Sequence, residues 1–285
     1  MKWGLGLAAL VVLLGFGGPL FVGDPDATNF AAQLAAPGAE HWLGTDAAGR
    51  DVLTRTLVAT RSSLADALTV AGATMLLGLL IGGVAGYYRG WLDAVLSRVI
   101  DVMLGFPDLV IALAIVGALG VGRVNLLLAL VVTQGGVLDR VTRALVLAAH
   151  SRLDVAAARM AGVGDARVLL THVLAHVLVL SATGFGAVVL SLAGLSFIGL
   201  GAQPSTAQLG QMLADSRGDL AIVPWLAIGP AVMIALTVAV AMLGSEALRD
   251  ALSVTRPVPR SPGGHDAPQL RCPPARLGSE RGKVG

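Results

Sequence analysis

The strongest constraint on this chain is where its charges are missing. Trp3 to Val22, Ala67 to Tyr88 and Leu220 to Ser245 carry no charged residue. Each is long enough to cross a hydrocarbon layer as a helix, which takes about 20 mostly apolar residues. Val102 to Gly122 is a further run, interrupted only by Asp108. Val124 to Leu138 is short and needs neighbouring residues to complete a span. The run from Val177 contains Gln203-Pro204, so its helix is expected to end near Gly201. The expected fold is all-α and polytopic, with about six transmembrane helices. Lys2 and the small residues Gly15 and Gly17 give the first run some features of a secretory leader. Its length and the lack of an Ala-x-Ala site favour a retained span.

Composition supports this reading. Charged residues make up 13% of the chain and mean hydropathy is +0.78, against roughly 25% charged in soluble domains. Glycine is abundant, at 37 residues, as suits helices that pack closely in lipid. A net charge of +2 leaves no electrostatic footprint for nucleic acid. The lone Cys272 excludes an internal disulfide or a CxxC metal site.

Lys/Arg bias sets the expected orientation. With the N-terminus inside, fifteen basic residues fall on the inner side and five (Arg50, Arg55, Arg61, Arg123, Arg217) on the outer side. Omitting the tail leaves nine against five, so both termini are expected to be cytoplasmic.

Three polar segments separate the runs. The outer one, Gly23 to Asp66, is too long for a turn and contains His41-Trp42-Leu43-Gly44-Thr45-Asp46-Ala47-Ala48-Gly49-Arg50-Asp51. The inner one, from Asp139 to about His172, reads as two short helices split at Gly162-Val163-Gly164. Ala156-Ala157-Ala158 forms a small-residue face there, and Asp165 is placed to cap the second helix. Such a face suits docking into a partner's groove, and equally suits packing on the chain's own bundle. The third segment, the Pro- and Arg-rich tail from Arg256, is expected to be disordered. Expected divisions are residues 1–64 (first helix and outer segment), 65–252 (transmembrane domain with a cytoplasmic loop at about 139–172) and 253–285 (tail).

Catalytic constellations are missing. The sequence has no HExxH, no GxSxG and no GxxxxGK[ST], so nucleotide hydrolysis by that loop is excluded. Asp108, after Phe106-Pro107, is expected near the inner end of its helix, as a helix-start carboxylate.

Several stretches resemble the C-type permease subunit of dipeptide, oligopeptide and nickel ABC importers. They are HWLGTDAAGRD at 41–51, Arg140-Val-Thr-Arg143, VAAARMAGVGDARVLLTHVL at 155–174, LSFIGLG at 195–201 with Gln203-Pro204 and Gly210, and Gly244 with Leu248-Arg249-Asp250-Ala251-Leu252. The resemblance implies a type I ABC importer permease fold. It implies a second permease subunit, two cytoplasmic ATPase subunits that carry ATP and Mg, and an extracytoplasmic binding protein. No cofactor or metal is expected on this chain itself. Ala156, Ala157, Ala158, Gly162, Gly164, Asp165 and Arg143 would belong to the ATPase-coupling loop. Gly44, Thr45, Asp46, Gly49, Arg50 and Asp51 would form the extracytoplasmic motif. Cargo would be a peptide, nickel or another small solute, in a prokaryotic inner membrane. The chain departs from the family pattern at Ala156 (usually Glu), Ala175 (Pro), Leu192 (Glu), Leu209 (Trp) and Ser245 (Asp). Alternatives are a weakly coupled copy, a secondary transporter or channel, and a membrane-embedded enzyme. The last lacks an acid/base pair or metal cluster.

Overall fold

The structure is a computed structural model that describes residues 9–88, 90–150, 160, 165–201 and 206–254. It is mostly helical; among the described residues extended pairing amounts to one antiparallel bridge, Thr45 with Asp51. The helices are α1 (Ala9–Leu20), α2 (Val52–Tyr88), α3 (Trp91–Leu104), α4 (Asp108–Leu119), α5 (Arg123–His150), α6 (Asp165–Phe197), α7 (Leu209–Ser216) and α8 (Trp225–Val254).

The described part of every expected apolar run is largely helical, but the helices do not share the limits of the runs. Among the described residues, four helices are long and apolar enough to cross a membrane by themselves: α2, α5, α6 and α8. A fifth crossing requires α3 and α4 together, and these are bent by 98°. Gly105-Phe106-Pro107 makes that break: proline has no N–H to donate, and the residue before it is pushed out of helical backbone. The described part of the first run, α1, is short.

Charged residues continue a helix as readily as apolar ones, so the helices outlast their apolar cores. α2 begins at Val52, inside the expected outer segment, and runs without interruption past residues 64 and 65. α5 continues to His150 and α6 starts at Asp165. Much of the expected inner polar segment is therefore the ends of two long helices. α6 stops at Phe197 rather than Gly201, because Gly199 takes φ +94°, which ends helical backbone.

Three apolar cores stack along the bundle. The first joins Val52 and Ala59 of α2 to Leu209 and Met212 of α7 and to Leu226, Met233 and Ile234 of α8. The second packs Ala67 and Val70 against Ala112 and Val116 of α4, Leu126 and Leu130 of α5, and Leu192 and Leu195 of α6. The third, at the opposite end, holds Leu138, Val146, Val173 and Val177. Outward faces are apolar: Leu76, Leu80, Val232 and Met242 are all exposed, as expected of helices solvated by lipid rather than water.

Candidate functional site

Residues 24–51 fold into a compact platform over the ends of α2, α7 and α8, and the expected extracytoplasmic motif is its frame. Thr45 is fully buried. Its hydroxyl donates to the Ala32 carbonyl and accepts from the Ala35 N–H at 2.9 Å. Asp46 is the hub: its carboxylate accepts the Ala48 N–H at 2.8 Å, the Arg50 N–H at 3.0 Å and Arg50 Nε at 2.8 Å. Gly44 and Gly49 both have positive φ, +72° and +73°. A Cβ on Gly49 would lie 1.9 Å from the Asn29 carbonyl oxygen, and one on Gly44 would lie 2.5 Å from the Ala35 oxygen. Only glycine fits either position.

Asp51 caps α2, accepting the Thr54 N–H at 2.7 Å, and its other oxygen is 2.8 Å from His41 Nδ1. Burial pushes the Asp51 pKa up, but the bonds from Thr54 and His41 outweigh it, and the net direction is down. The six expected platform residues thus all take part in one unit. Arg55, one turn into α2, is 2% exposed and lies 3.7 Å from both Asp26 and Asp46. It lines a cavity of about 260 Å³ with Asp46, Arg50, Asp215, Ser216 and Asp219.

Beneath the platform lies a buried polar clamp. Asp66 of α2 receives Arg123 Nη2 at 2.5 Å and Nε at 2.9 and 3.1 Å, and Gln208 Nε2 at 2.5 Å. Leu209 N–H donates to Ser63 at 3.2 Å, so the start of α7 is held to α2. Gly210 abuts α6, where a Cβ would sit 2.4 Å from the Ala193 oxygen. The LSFIGLG resemblance marked this turn. It did not mark Asp66, Arg123 or Gln208; the one sequence signal was an isolated acid at the edge of an apolar run.

The opposite end is tied differently. Arg143 forks onto Asp93 of α3, with Nη2 to Oδ2 at 2.7 Å, and Arg140 pairs with Asp101. Gly78, Gly82 and Gly86 let α2 close on α5. Added Cβ atoms would meet Leu138 at 3.0 Å, the Asp139 oxygen at 2.4 Å and Val146 at 2.8 Å. This spacing of small residues every fourth position is the close-packing pattern of membrane helices, and it stands in the sequence. Of the expected coupling-loop residues, Arg143 is on α5 and Asp165 opens α6. Ala156, Ala157, Ala158, Gly162 and Gly164 lie outside the described residues. No group of three or more His, Cys, Asp or Glu residues that could hold a metal occurs among the described residues.

The platform, the clamp and the ties at the opposite end each hold helices together. Residues 78–254 match the family described as binding-protein-dependent transport system inner membrane component. The chain is similar to a dipeptide transport system permease protein of Alkalihalophilus pseudofirmus, with 35% identity over 87% of this chain and 84% of the relative. It is similar to the nickel transport system permease protein of Escherichia coli, with 36% identity over 80% of this chain and 84% of the relative. The glutathione transport system permease protein of Pectobacterium atrosepticum is 36% identical over 76% of this chain and 73% of its own length. The chain therefore belongs to the binding-protein-dependent transport system inner membrane component family, the multi-pass permeases of binding-protein-dependent transport systems.

Proposed function

We propose that this chain is one of two permease subunits of an ATP-driven importer for a small solute such as a peptide or nickel. Family membership and the relatives named for dipeptide, glutathione and nickel transport support this. The observation that carries it is the inner-end geometry. α5 ends at His150 and α6 starts at Asp165, flanking the Ala156–Gly164 stretch in sequence, and Arg143 and Arg140 bind α5 to α3. A push on that stretch is delivered to two rigid helices at once. Two ATPase subunits on the cytoplasmic side would supply the push, ATP and Mg being theirs. ATP shifts the population between states because it binds one of them better. The platform would face an extracytoplasmic binding protein, with both termini in the cytoplasm and the second permease completing the path.

The test is co-purification of the ATPases with the full assembly, and ATP hydrolysis stimulated by loaded binding protein. Ala157→Arg, which puts bulk and charge on the small face, should abolish both. Unchanged co-purification and stimulation would refute the assignment of that stretch. Stable assembly with unstimulated hydrolysis in the natural chain would mark a poorly coupled copy, consistent with Ala156 in place of the family's Glu. Transport that continues without ATP would establish the ion-driven alternative.

A further inference from the structure

A cavity of about 240 Å³ opens between α4, α5 and α6, lined on its polar side by Asp108, Thr133, Gln134 and Ser191. Leu109, Ala112, Leu130, Leu190 and Leu195 complete its walls. Its depth is fixed by the helices. α4 has 12 residues, so Asp108 lies about 16 Å below the turn that joins α4 to α5. Thr133 lies about 15 Å below Arg123 on α5. That turn is secured by Asn125, whose side-chain amide donates to the carbonyls of Leu119 and Gly120 at 3.0 and 2.9 Å. If α4 and α5 stand upright in a hydrocarbon layer about 30 Å thick, the cavity lies near mid-depth. Asp108 opens α4 directly after the break at Gly105-Phe106-Pro107, as expected of a helix-start carboxylate.

A carboxylate at that depth does not face acyl chains; such groups face a water-filled cavity or a protein partner. Asp108 is exposed and makes no ion pair among the described residues. The polar neighbours are only loosely engaged. Gln134 Nε2 is 3.5 Å from Ser191 Oγ, and the Thr133 hydroxyl turns back to the Leu130 carbonyl at 3.3 Å. Their capacity to bond an amide or hydrated solute is open.

We propose that this cavity is the cargo-lining segment of the subunit, and that Asp108 makes it prefer cargo bearing a positive charge. The inference rests on the permease reading above. An ammonium group or a metal cation would sit by Asp108, while Gln134 and Ser191 bond amide or water. The test uses the complete importer in proteoliposomes, with Cys272→Ser and Ser191→Cys. The probes are a cationic and an anionic methanethiosulfonate, neither able to cross the membrane. After correction for reactivity with a free thiol, the cationic probe should react roughly tenfold faster. Asp108→Asn should bring the two rates together, and Asp108→Glu should keep them apart. Slowing of the reaction by alanyl-alanine would identify an ammonium cargo; slowing by nickel chloride, a metal. Equal rates for both probes would overturn the inference. So would labelling only by membrane-permeant N-ethylmaleimide, because Asp108 would then be covered by the second permease or lipid. Either result with intact ATPase co-purification removes the inference alone; loss of co-purification removes the permease reading.

Discussion

Replacing Arg123 with Ala should destabilise the chain more than replacing its partner Asp66 with Asn. Asp66 is 1% exposed, whereas the Arg123 side chain is 47% exposed. Two unit charges about 4 Å apart interact by about 4 kcal/mol at an effective dielectric of 20, and the half-exposed guanidinium loses part of that to water. Without Arg123 the buried carboxylate keeps the Gln208 amide but no cation, which should cost about 3 kcal/mol. Asp66→Asn removes the buried charge, keeps an acceptor, and leaves a guanidinium that water can reach, so about 1 kcal/mol is expected. The double variant should resemble Asp66→Asn, giving a coupling energy of about 3 kcal/mol in magnitude. Equilibrium unfolding in mixed micelles, read by tryptophan fluorescence, measures all three. Equal costs, or a larger cost for Asp66→Asn, would refute the reasoning that a buried unpaired carboxylate sets the penalty.

Gly49→Ala should lower stability by 2 kcal/mol or more, since a left-handed backbone costs an L-residue about 1–2 kcal/mol and the new Cβ strikes a carbonyl oxygen; a thermal melt within a degree of the parent would contradict this. Gly82→Ala should force α2 from α5 against the Asp139 carbonyl, costing about 1–3 kcal/mol, whereas Gly83→Ala, facing open space, should be neutral or stabilising. Asp51 has a depressed folded pKa, so its contribution is complete above the unfolded value near 3.8 and fades as pH falls through the folded value. The stability gap between the parent and Asp51→Asn should close as pH falls below about 4; a gap that widens there would contradict the sign. Arg143→Ala should leave folding nearly intact but weaken the link to α3, read as ATP hydrolysed per cargo moved. An unchanged ratio would show that the link is incidental.

The apolar runs disclosed the helices because the membrane forbids charge along a lipid-facing stretch, and that rule acts on sequence directly. They did not disclose helix ends. Val52 to Asp66 contains Arg55, Arg61 and Asp66, so it reads as polar connection, yet α2's backbone bonds are indifferent to those side chains. The platform glycines were legible as a motif, and their positive φ explains why. The clamp was not: Asp66, Arg123 and Gln208 are far apart in the chain, and no local pattern announces that they converge. Likewise Val102 to Gly122 reads as one run interrupted only by Asp108, and the 98° bend at Gly105-Phe106-Pro107 divides it between α3 and α4.

The 37 residues of α2 make a rod about 55 Å long, well beyond the thickness of a bilayer. One end is built into the platform and the other is keyed by Gly82 and Gly86 into α5. A tilt of about 10° around its middle would carry each end some 5 Å in opposite directions. A load on the platform would thus move the opposite end of α2, and the reverse, without any signal passing through the cavity between them.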